Sequence, residues 1–295
     1  MGLILKKSLA YSQLKKRIGQ ANHFLITILV GLDEVSNGNA KKSATLDAKW
    51  EPKDVKVSAS RSRTYALNSS LSWIVDNFDS YVQNCKRKPS FIENSELQRA
   101  LDSADRRVNE KFEVLYERYK AVDDLKLYGA LIALGIQWRN VTTHSGGDNV
   151  LDNEYERILQ GNKNWYNNNL CHLDVDKALN SFNARKNPSL KEVASIIKAI
   201  LRFVEIVDKE LIKEIDIDRY VTDLLDKHYP QESKKRILFT NQTREHQISK
   251  IKQVMLNSGF VDEDGDGGIP VNNEFLMKFM GDIKCQDSVY GRGGE

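Results

Sequence analysis

The chain has 295 residues, of which 40% are hydrophobic and 29% charged, and it contains only five prolines. That composition is typical of a helix-rich globular protein with a core of ordinary size. The formal net charge is +3, so the total charge gives no case for nucleic-acid binding, although it leaves room for a local basic patch. Three widely spaced cysteines, Cys85, Cys171 and Cys285, argue against a disulfide framework or a zinc site and favour a reducing compartment.

The first predicted helix runs from about Ser8 to Val35. Apolar side chains recur along it in steps of four and three residues: Leu14, Ile18, Ala21, Leu25, Ile28, Leu32 and Val35. This stripe fits a helix packed against its neighbours, or a seam for self-association. The apolar run Phe24–Leu32 is too short to cross a bilayer, which takes about 20 residues, so we expect a cytoplasmic protein with no membrane partner.

A polar segment, Ser36–Ala66, follows the first helix. Its cations and aromatic side chains could contact single-stranded nucleic acid: Lys53, Lys56, Arg61 and Arg63 with Trp50 and Tyr65. A solvated loop explains the same residues and is the interpretation we favour. Further helices are predicted over Asn68–Cys85 and from Glu93 or Ser95 to about Lys120.

The fourth predicted helix, Leu125–Trp138, is almost entirely apolar and should be buried. Beyond it, the Asn-rich segment Asn149–Asn187 predicts a loop or short-helix insertion, because Asn side chains compete for backbone hydrogen bonds. A strongly amphipathic helix from Pro188 to about Glu214 should then pack back on the fourth helix.

The pattern weakens after Asp216. Short helices are predicted around Tyr220–His228 and Thr243–Asn257, the latter closed by Gly259. We therefore predict an all-α fold, with a small hairpin near the C-terminus. It divides into a helical bundle with polar loop insertions over residues 1–215 and a small, mostly helical C-terminal appendage over residues 216–295.

Polar residues follow the apolar fourth helix at once. Asn140 and His144 are four residues apart and share a helix face, and the long side chain of Arg139 can reach the same side. A histidine can take or give a proton near neutral pH, and a guanidinium stabilises phosphate charge through paired hydrogen bonds. Because RNA carries its own nucleophile, the ribose 2′-hydroxyl, these groups suffice to cleave it without a metal or cofactor. Asn140 is placed to hold the imidazole in one tautomer or to contact the substrate.

The six residues Arg139–His144 resemble the Arg-polar-x-x-x-His signature of HEPN-domain ribonucleases, with Asn140 at the polar position. HEPN domains are helical bundles in which this motif ends a core helix and a further amphipathic helix follows. The resemblance extends over about Ser8–Glu214, although only the motif is specific. It implies Arg139, Asn140 and His144 as catalytic residues. The polar insertions at residues 36–66 and 149–187 depart from a minimal HEPN bundle.

In the HEPN family two motifs face each other across a dimer, so the resemblance also implies a homodimer. Active members are typically toxins of toxin–antitoxin or phage-defence systems. They cut RNA, often transfer RNA. The partners it implies are therefore RNA, a second copy of the chain, and an antitoxin or regulatory protein.

Two alternatives remain open at the level of sequence. Arg139 and His144 could simply stabilise the C-terminus of a helix, where cations are favourable. The chain would then be a non-catalytic helical module that binds a protein partner. Separately, the acidic segment Asp262–Gly268 resembles the first half of a calcium loop. Asn273 stands where such a loop needs a bidentate carboxylate, so we predict a solvated turn and no metal site.

Overall fold

The computed structural model of the chain describes residues 3–104, 107–143, 150–228, 243–262 and 269–271. Within these ranges the chain is predominantly helical, which confirms the predicted all-α class. The described helices are α1 (Leu9–Ser36), α2 (Val55–Lys86), α3 (Ser95–Ser103), α4 (Val108–Tyr119), α5 (Leu125–Thr143), α6 (Asn153–Gly161), α7 (Lys163–Asn169), α8 (Val175–Asn183), α9 (Leu190–Glu214), α10 (Ile217–His228) and α11 (Arg244–Asn257). The described strands are β1 (Leu3–Leu5), β2 (Phe260–Asp262) and β3 (Ile269–Val271).

The three strands form one small antiparallel sheet with β1 in the middle. Leu5 in β1 pairs with Phe260 in β2 on one side and with Ile269 in β3 on the other. Among the described residues, β2 and β3 do not form the hairpin predicted near the C-terminus, because both pair with β1 and not with each other. A strand of three residues is too short for an alternating pattern to reveal it.

Helix α1 confirms the first predicted helix to within one residue at each end. The buried positions along its length include Leu14, Ile18, Ala21, Leu25 and Leu29. The predicted stripe therefore holds as far as Leu25, where Leu29 and not Ile28 continues it. Buried positions on a straight helix follow 3.6 residues per turn and drift away from a strict heptad.

Helix α2 begins inside the segment for which the sequence predicts a loop. That prediction is confirmed for residues 37–54 and wrong from Val55 onward. Asp54 provides the reason, because its Oδ1 accepts a hydrogen bond from the backbone N–H of Val57 at 3.0 Å. An aspartate in this position satisfies a free N–H of the first turn and favours helix initiation without an apolar stripe.

The third predicted helix is divided in two. Helix α3 ends at Ser103, and α4 begins at Val108 after Arg107, whose φ of −92° and ψ of 103° are extended. The prediction of one continuous helix was wrong, although Leu97 and Leu101 in α3 and Phe112 and Leu115 in α4 are buried as expected. In the Asn-rich segment the predicted short helices are confirmed as α6, α7 and α8.

The chain forms two compact units. The first unit comprises residues 1–13, 81–103 and 207–295, and the second comprises residues 14–80 and 104–206. The C-terminal segment thus belongs with two earlier parts of the chain. The sequence-based boundary between residues 215 and 216 stays a prediction.

Helix α5 is buried along most of its length in the second unit. A Cβ atom at Gly135 would lie 2.8 Å from Cγ2 of Ile196, so glycine at this position lets α5 approach α9 closely. This contact confirms that the amphipathic helix packs back on the apolar one. The same unit contains a cluster of three aromatic rings, Phe78 from α2, Phe112 from α4 and Phe203 from α9. The ring centroids are 5.5 to 6.3 Å apart. The packing of the second unit leaves the C-terminal turn of α5 half-buried.

In the first unit, Gly259 lets the chain turn from α11 into β2. Its φ is +102°, and a Cβ atom there would lie 2.2 Å from the carbonyl oxygen of Lys7. A side chain would therefore be both strained and blocked. The sequence prediction that Gly259 closes this helix is confirmed.

Candidate functional site

The last turn of α5 carries Arg139 and Asn140 at the surface of the second unit. Trp138, directly before them, is fully buried, and its Nε1 donates a hydrogen bond to the carbonyl oxygen of Lys186 at 2.8 Å. This anchor fixes the rotation of the last turn. The hydroxyls of Thr142 and Thr143 both donate to the carbonyl oxygen of Arg139, at 3.1 and 2.7 Å. These bonds satisfy an acceptor in the last turn of the helix.

Arg139 has a carboxylate partner that the sequence analysis did not identify. Its Nη2 donates to Oδ1 of Asp76 on α2 at 3.0 Å, and its Nη1 lies 3.4 Å from Oδ1 of Asn140. Its Nε is buried and has no hydrogen-bond partner among the described residues. The side chain of Arg139 is 20% exposed and that of Asp76 is 62% exposed. The guanidinium is thus held in place from one side while retaining an unused donor.

Asn140 points its Oδ1 at the guanidinium of Arg139. In this arrangement its carbonyl group contributes to orienting Arg139. Sequence analysis assigned it to the imidazole of His144 or to the substrate. Among the described residues no hydrogen bond is seen from Nδ2 of Asn140, so its two N–H groups can serve either of those roles.

His144, the third predicted catalytic residue, lies outside the described residues. The nearest described position is Thr143, which is exposed and whose Oγ1 lies 3.3 Å from Oγ of Ser72 on α2. The structure therefore brings together Arg139, Asn140, Asp76 and Ser72. The placement of His144 beside them stays a prediction.

Helix α2 presents two carboxylates near this end of α5, and each has a cation. Asp79 binds Nζ of Lys111 at 2.7 Å, and the lysine side chain is only 2% exposed. Asp76 binds Arg139. Lys111 and Arg139 are therefore both paired with a carboxylate, so an anionic ligand has to compete with Asp76 for Arg139. That competition is feasible because partly exposed ion pairs contribute only about 0–1 kcal/mol.

The cations in the segment 36–66 were considered as possible nucleic-acid contacts. Arg63, on α2, forms an ion pair with Asp33 on α1. Trp50 and Tyr65 are exposed, the latter by 75%. The aromatic side chains are thus available at the surface, while Arg63 is already neutralised. The basic run Lys234–Arg236 lies outside the described residues, as do residues 263–268 of the acidic segment.

A buried polar cluster in the first unit escaped the sequence analysis. Oδ2 of Asp208 accepts a hydrogen bond from the backbone N–H of Ser8 at 2.8 Å, and its Oδ1 accepts from the Ser8 hydroxyl and from the Tyr81 hydroxyl, the latter at 3.1 Å. Oγ of Ser8 accepts in turn from the backbone N–H of Tyr11 at 2.8 Å and so caps α1. Asp208 thereby fixes the start of α1 to α2 and α9.

Burial governs the protonation of this cluster. It raises the pKa of Asp208 to about 6, although hydrogen bonds from Ser8 and Tyr81 favour the ionised form. Burial also raises the pKa of the nearby Cys85 thiol. Ser8, Tyr81, Cys85 and Asp208 are all at most 1% exposed, so none can contact a substrate. One sequence signal could have revealed the cluster: Asp208 occupies a buried-face position of the amphipathic helix, four residues after Val204.

A scan with protein-family models and searches of curated proteins and of solved structures gave no match. In the part of the chain that the structure describes, no helix has both the length and the apolar character required to cross a lipid bilayer.

Proposed function

We propose that the protein is a metal-independent endoribonuclease of the HEPN type, acting in the cytoplasm as a toxin or phage-defence effector. Arg139 and Asn140 lie at the surface near the C-terminal end of a buried helix, five and four residues before His144. The observation that carries the proposal is the state of Arg139: Asp76 and Asn140 orient its guanidinium, its side chain is 20% exposed, and each Nη atom has a second N–H group that these two contacts do not use. Such a guanidinium is suited to paired hydrogen bonds with a phosphate.

The reaction needs few groups. His144 takes the proton from a ribose 2′-hydroxyl, whose oxygen attacks the adjacent phosphorus. The bond from phosphorus to the 5′-oxygen breaks, and that oxygen receives a proton from an acid, either the imidazolium of His144 or a histidine of a second copy. The products are a 2′,3′-cyclic phosphate and a 5′-hydroxyl. Arg139 stabilises the additional negative charge on the phosphate in the transition state, which is the state that catalysis has to favour.

The proposal is tested by incubating purified protein with total RNA in the presence of EDTA. We expect discrete fragments from the wild type and a loss of about 100-fold or more in rate for both His144→Ala and Arg139→Ala. His246→Ala and Arg202→Ala are the matched controls. His246 is an exposed histidine in α11, and Arg202 forms a surface ion pair with Glu205 at 2.8 Å. Full activity of His144→Ala would exclude the proposed mechanism.

The second candidate function is a non-catalytic module that binds another protein. It is favoured by a specific observation: α1 exposes several large apolar side chains. This candidate predicts intact RNA from wild-type protein and no functional difference between Arg139→Ala and Arg202→Ala. The same incubation therefore distinguishes the two.

A further inference from the structure

A groove between α1 and α2 of the second unit presents aromatic and apolar side chains to solvent. Its volume is about 570 Å³, within the range of about 300–1,000 Å³ that is usual for sites that bind small ligands. Large side chains border it on both helices, Phe24 and Ile28 from α1 and Tyr65 and Trp73 from α2. All four are at least 41% exposed, and Tyr65 is 75% exposed. Single exposed apolar residues are ordinary, but exposed aromatic side chains grouped around a groove mark a binding site.

The groove continues along α2 to the candidate site. Four residues share one face of α2, because they follow one another at intervals of four, three and four residues: Tyr65, Ser69, Ser72 and Asp76. Tyr65 and Ser69 line the groove, whereas Ser72 and Asp76 contact the C-terminal end of α5. Eleven residues of α-helix extend over about 16 Å. One face of α2 therefore leads from an exposed aromatic ring to the guanidinium of Arg139.

The charges around the groove favour a polyanionic ligand. No Asp or Glu is among the described residues that line it. Arg17 lies on the same face of α1 as Phe24 and Ile28, seven and eleven residues before them, and Arg61 precedes Tyr65 by four residues on α2. Both arginines are exposed, and neither has an ion-pair partner in the described part of the chain. Cations beside exposed aromatic rings are the combination with which proteins bind single-stranded nucleic acid.

We propose that the α1–α2 groove binds unpaired bases of the RNA strand whose phosphate is bound by Arg139. The rings of Tyr65 and Trp73 stack on these bases, and Arg17 and Arg61 contact the flanking phosphates. The inference rests on the proposed function, because the scissile phosphate at Arg139 determines which part of the strand reaches the groove. A base inside a duplex is already stacked on both sides, so the groove selects single-stranded RNA.

A protein helix is the other ligand that an apolar groove can accept. It would explain the exposed side chains of Phe24 and Ile28. It would not explain why the residues that line the groove include no carboxylate, or why the groove leads to Arg139. The two ligands also differ in what they require, since stacking on a base needs a planar ring, whereas apolar contact needs only buried area. Substitutions that keep the area but remove the ring therefore distinguish them.

Fluorescence anisotropy with a labelled, unstructured oligoribonucleotide tests the inference. The full chain carrying His144→Ala is the reference protein, so that the RNA stays intact during the measurement. Added to it, Tyr65→Ala and Trp73→Ala should each raise the dissociation constant by about tenfold or more, as expected for the loss of a stacked base. Trp50→Ala is the matched control, since Trp50 is an exposed aromatic residue of the same unit outside the groove. Because the substituted rings are exposed, circular dichroism should show unchanged helix content.

Conservative variants separate stacking from apolar contact. Tyr65→Phe keeps the ring and should bind RNA within about twofold of the reference protein. Tyr65→Leu keeps apolar area without a ring, and it should lose about as much affinity as Tyr65→Ala. With the same oligoribonucleotide annealed to its complement, all of these variants should bind like the reference protein, because paired bases cannot enter the groove.

The salt dependence of binding tests the two arginines. Each phosphate contact with a single strand contributes about 0.7 to the slope of the logarithm of the association constant against the logarithm of the salt concentration. Arg17→Ala and Arg61→Ala should each reduce the slope by about that amount. Arg202→Ala, which removes an arginine paired with Glu205 on α9, is the control and should leave the slope unchanged.

The outcomes separate this inference from the proposed function. Cleavage of RNA by the wild type, together with unchanged affinity of Tyr65→Ala and Trp73→Ala, would overturn the groove as a base-binding site and leave the nuclease intact. Full affinity of Tyr65→Leu would also overturn it and would indicate apolar contact of the kind that a protein helix makes. A wild type that does not cleave RNA, combined with a single-strand-specific loss in Tyr65→Ala, would support the base-binding groove and contradict only the nuclease.

Discussion

The clusters around Asp208 and Arg139 each centre on a charged side chain that forms hydrogen bonds. They differ in solvent exposure and in how many of their polar atoms have hydrogen-bond partners. Asp208 is 1% exposed and accepts three hydrogen bonds from Ser8 and Tyr81. Arg139 is partly exposed, pairs with one solvent-facing carboxylate and keeps a buried Nε without a partner among the described residues. The first arrangement is closed to a ligand, whereas the second has donors to offer.

This difference predicts which of the two clusters contributes to stability and which to function. A fully partnered, buried polar group contributes to stability because removing it leaves its partners unsatisfied. A partly satisfied group at the surface costs little to rearrange, so its donors are available for binding. We therefore expect substitutions at Asp208 to change the free energy of unfolding and substitutions around Arg139 to change activity.

The largest effect on stability is expected for Asp208→Ala. It removes the acceptor of the Ser8 N–H, the Ser8 hydroxyl and the Tyr81 hydroxyl, all buried. Each unsatisfied group costs about 1–3 kcal/mol, so the free energy of unfolding should fall by about 3 kcal/mol or more. This free energy is measured by urea denaturation monitored with circular dichroism.

Asp176→Ala is the control for that substitution. Asp176 forms an exposed ion pair with Lys163 at 2.7 Å, and its loss should cost less than about 1 kcal/mol. Equal losses of unfolding free energy for Asp208→Ala and Asp176→Ala would contradict the expectation that the buried carboxylate contributes more to stability than the exposed one.

The pH dependence of stability should carry the signature of Asp208. Its pKa in the folded protein is about 6, above the ordinary value for aspartate. The unfolded chain therefore releases this proton first as pH rises. The part of the stability that depends on the raised pKa of Asp208 is fully present below about pH 4 and is lost as pH rises to about 6, while the hydrogen bonds that its oxygens accept remain. Relative to Asp208→Asn, the wild type should lose roughly 3 kcal/mol over that window.

Unfolding experiments at several pH values between 4 and 7 measure this difference directly. Asparagine retains a carbonyl acceptor for Ser8 and cannot ionise, so the comparison isolates the carboxylate. Parallel stability curves for the two proteins would mean that burial does not raise the pKa of Asp208.

The smallest effect on stability is expected for Asp76→Asn. Asparagine keeps an acceptor for Nη2 of Arg139 but loses the charge that competes with phosphate. The free energy of unfolding should change by less than about 0.5 kcal/mol. The KM for RNA should fall by up to about fivefold with kcat unchanged. Asp176→Asn is the control. The RNA affinity of the His144→Ala protein, measured with and without Asp76→Asn, provides a readout that does not require cleavage. A higher KM would indicate that the Asp76 charge assists binding.

Much of the helical architecture was predictable because it follows local patterns. The apolar helix α5 and the amphipathic α9 were identified from spacing alone. The start of α2 was missed because its first turns lack an apolar stripe, yet Asp54 is a recognisable N-cap residue. Strand β1 was missed because its partners lie at the other end of the chain, and no local pattern encodes such a pairing.

The candidate site was likewise predictable only in part. The placement of Arg139 and Asn140 at the end of a buried helix follows from the sequence, since the apolar run stops immediately before them. Asp76 could not be predicted as the partner of Arg139, because the two are 63 residues apart and meet only when α2 and α5 pack together. Asp208 was detectable in principle, as an acid on the buried face of an otherwise apolar stripe.

The sheet of the first unit has a consequence for synthesis of the protein. Strand β1 leaves the ribosome long before its partner residues Phe260 and Ile269, which lie far downstream of it in the chain. At about 5–20 residues per second, β1 waits roughly 10–50 s for them. Ser8 likewise waits for Asp208. A chain that stops before residue 260 leaves the apolar segment Leu3–Leu5 without its partner strands. Such incomplete chains should be preferred targets of chaperones and proteases.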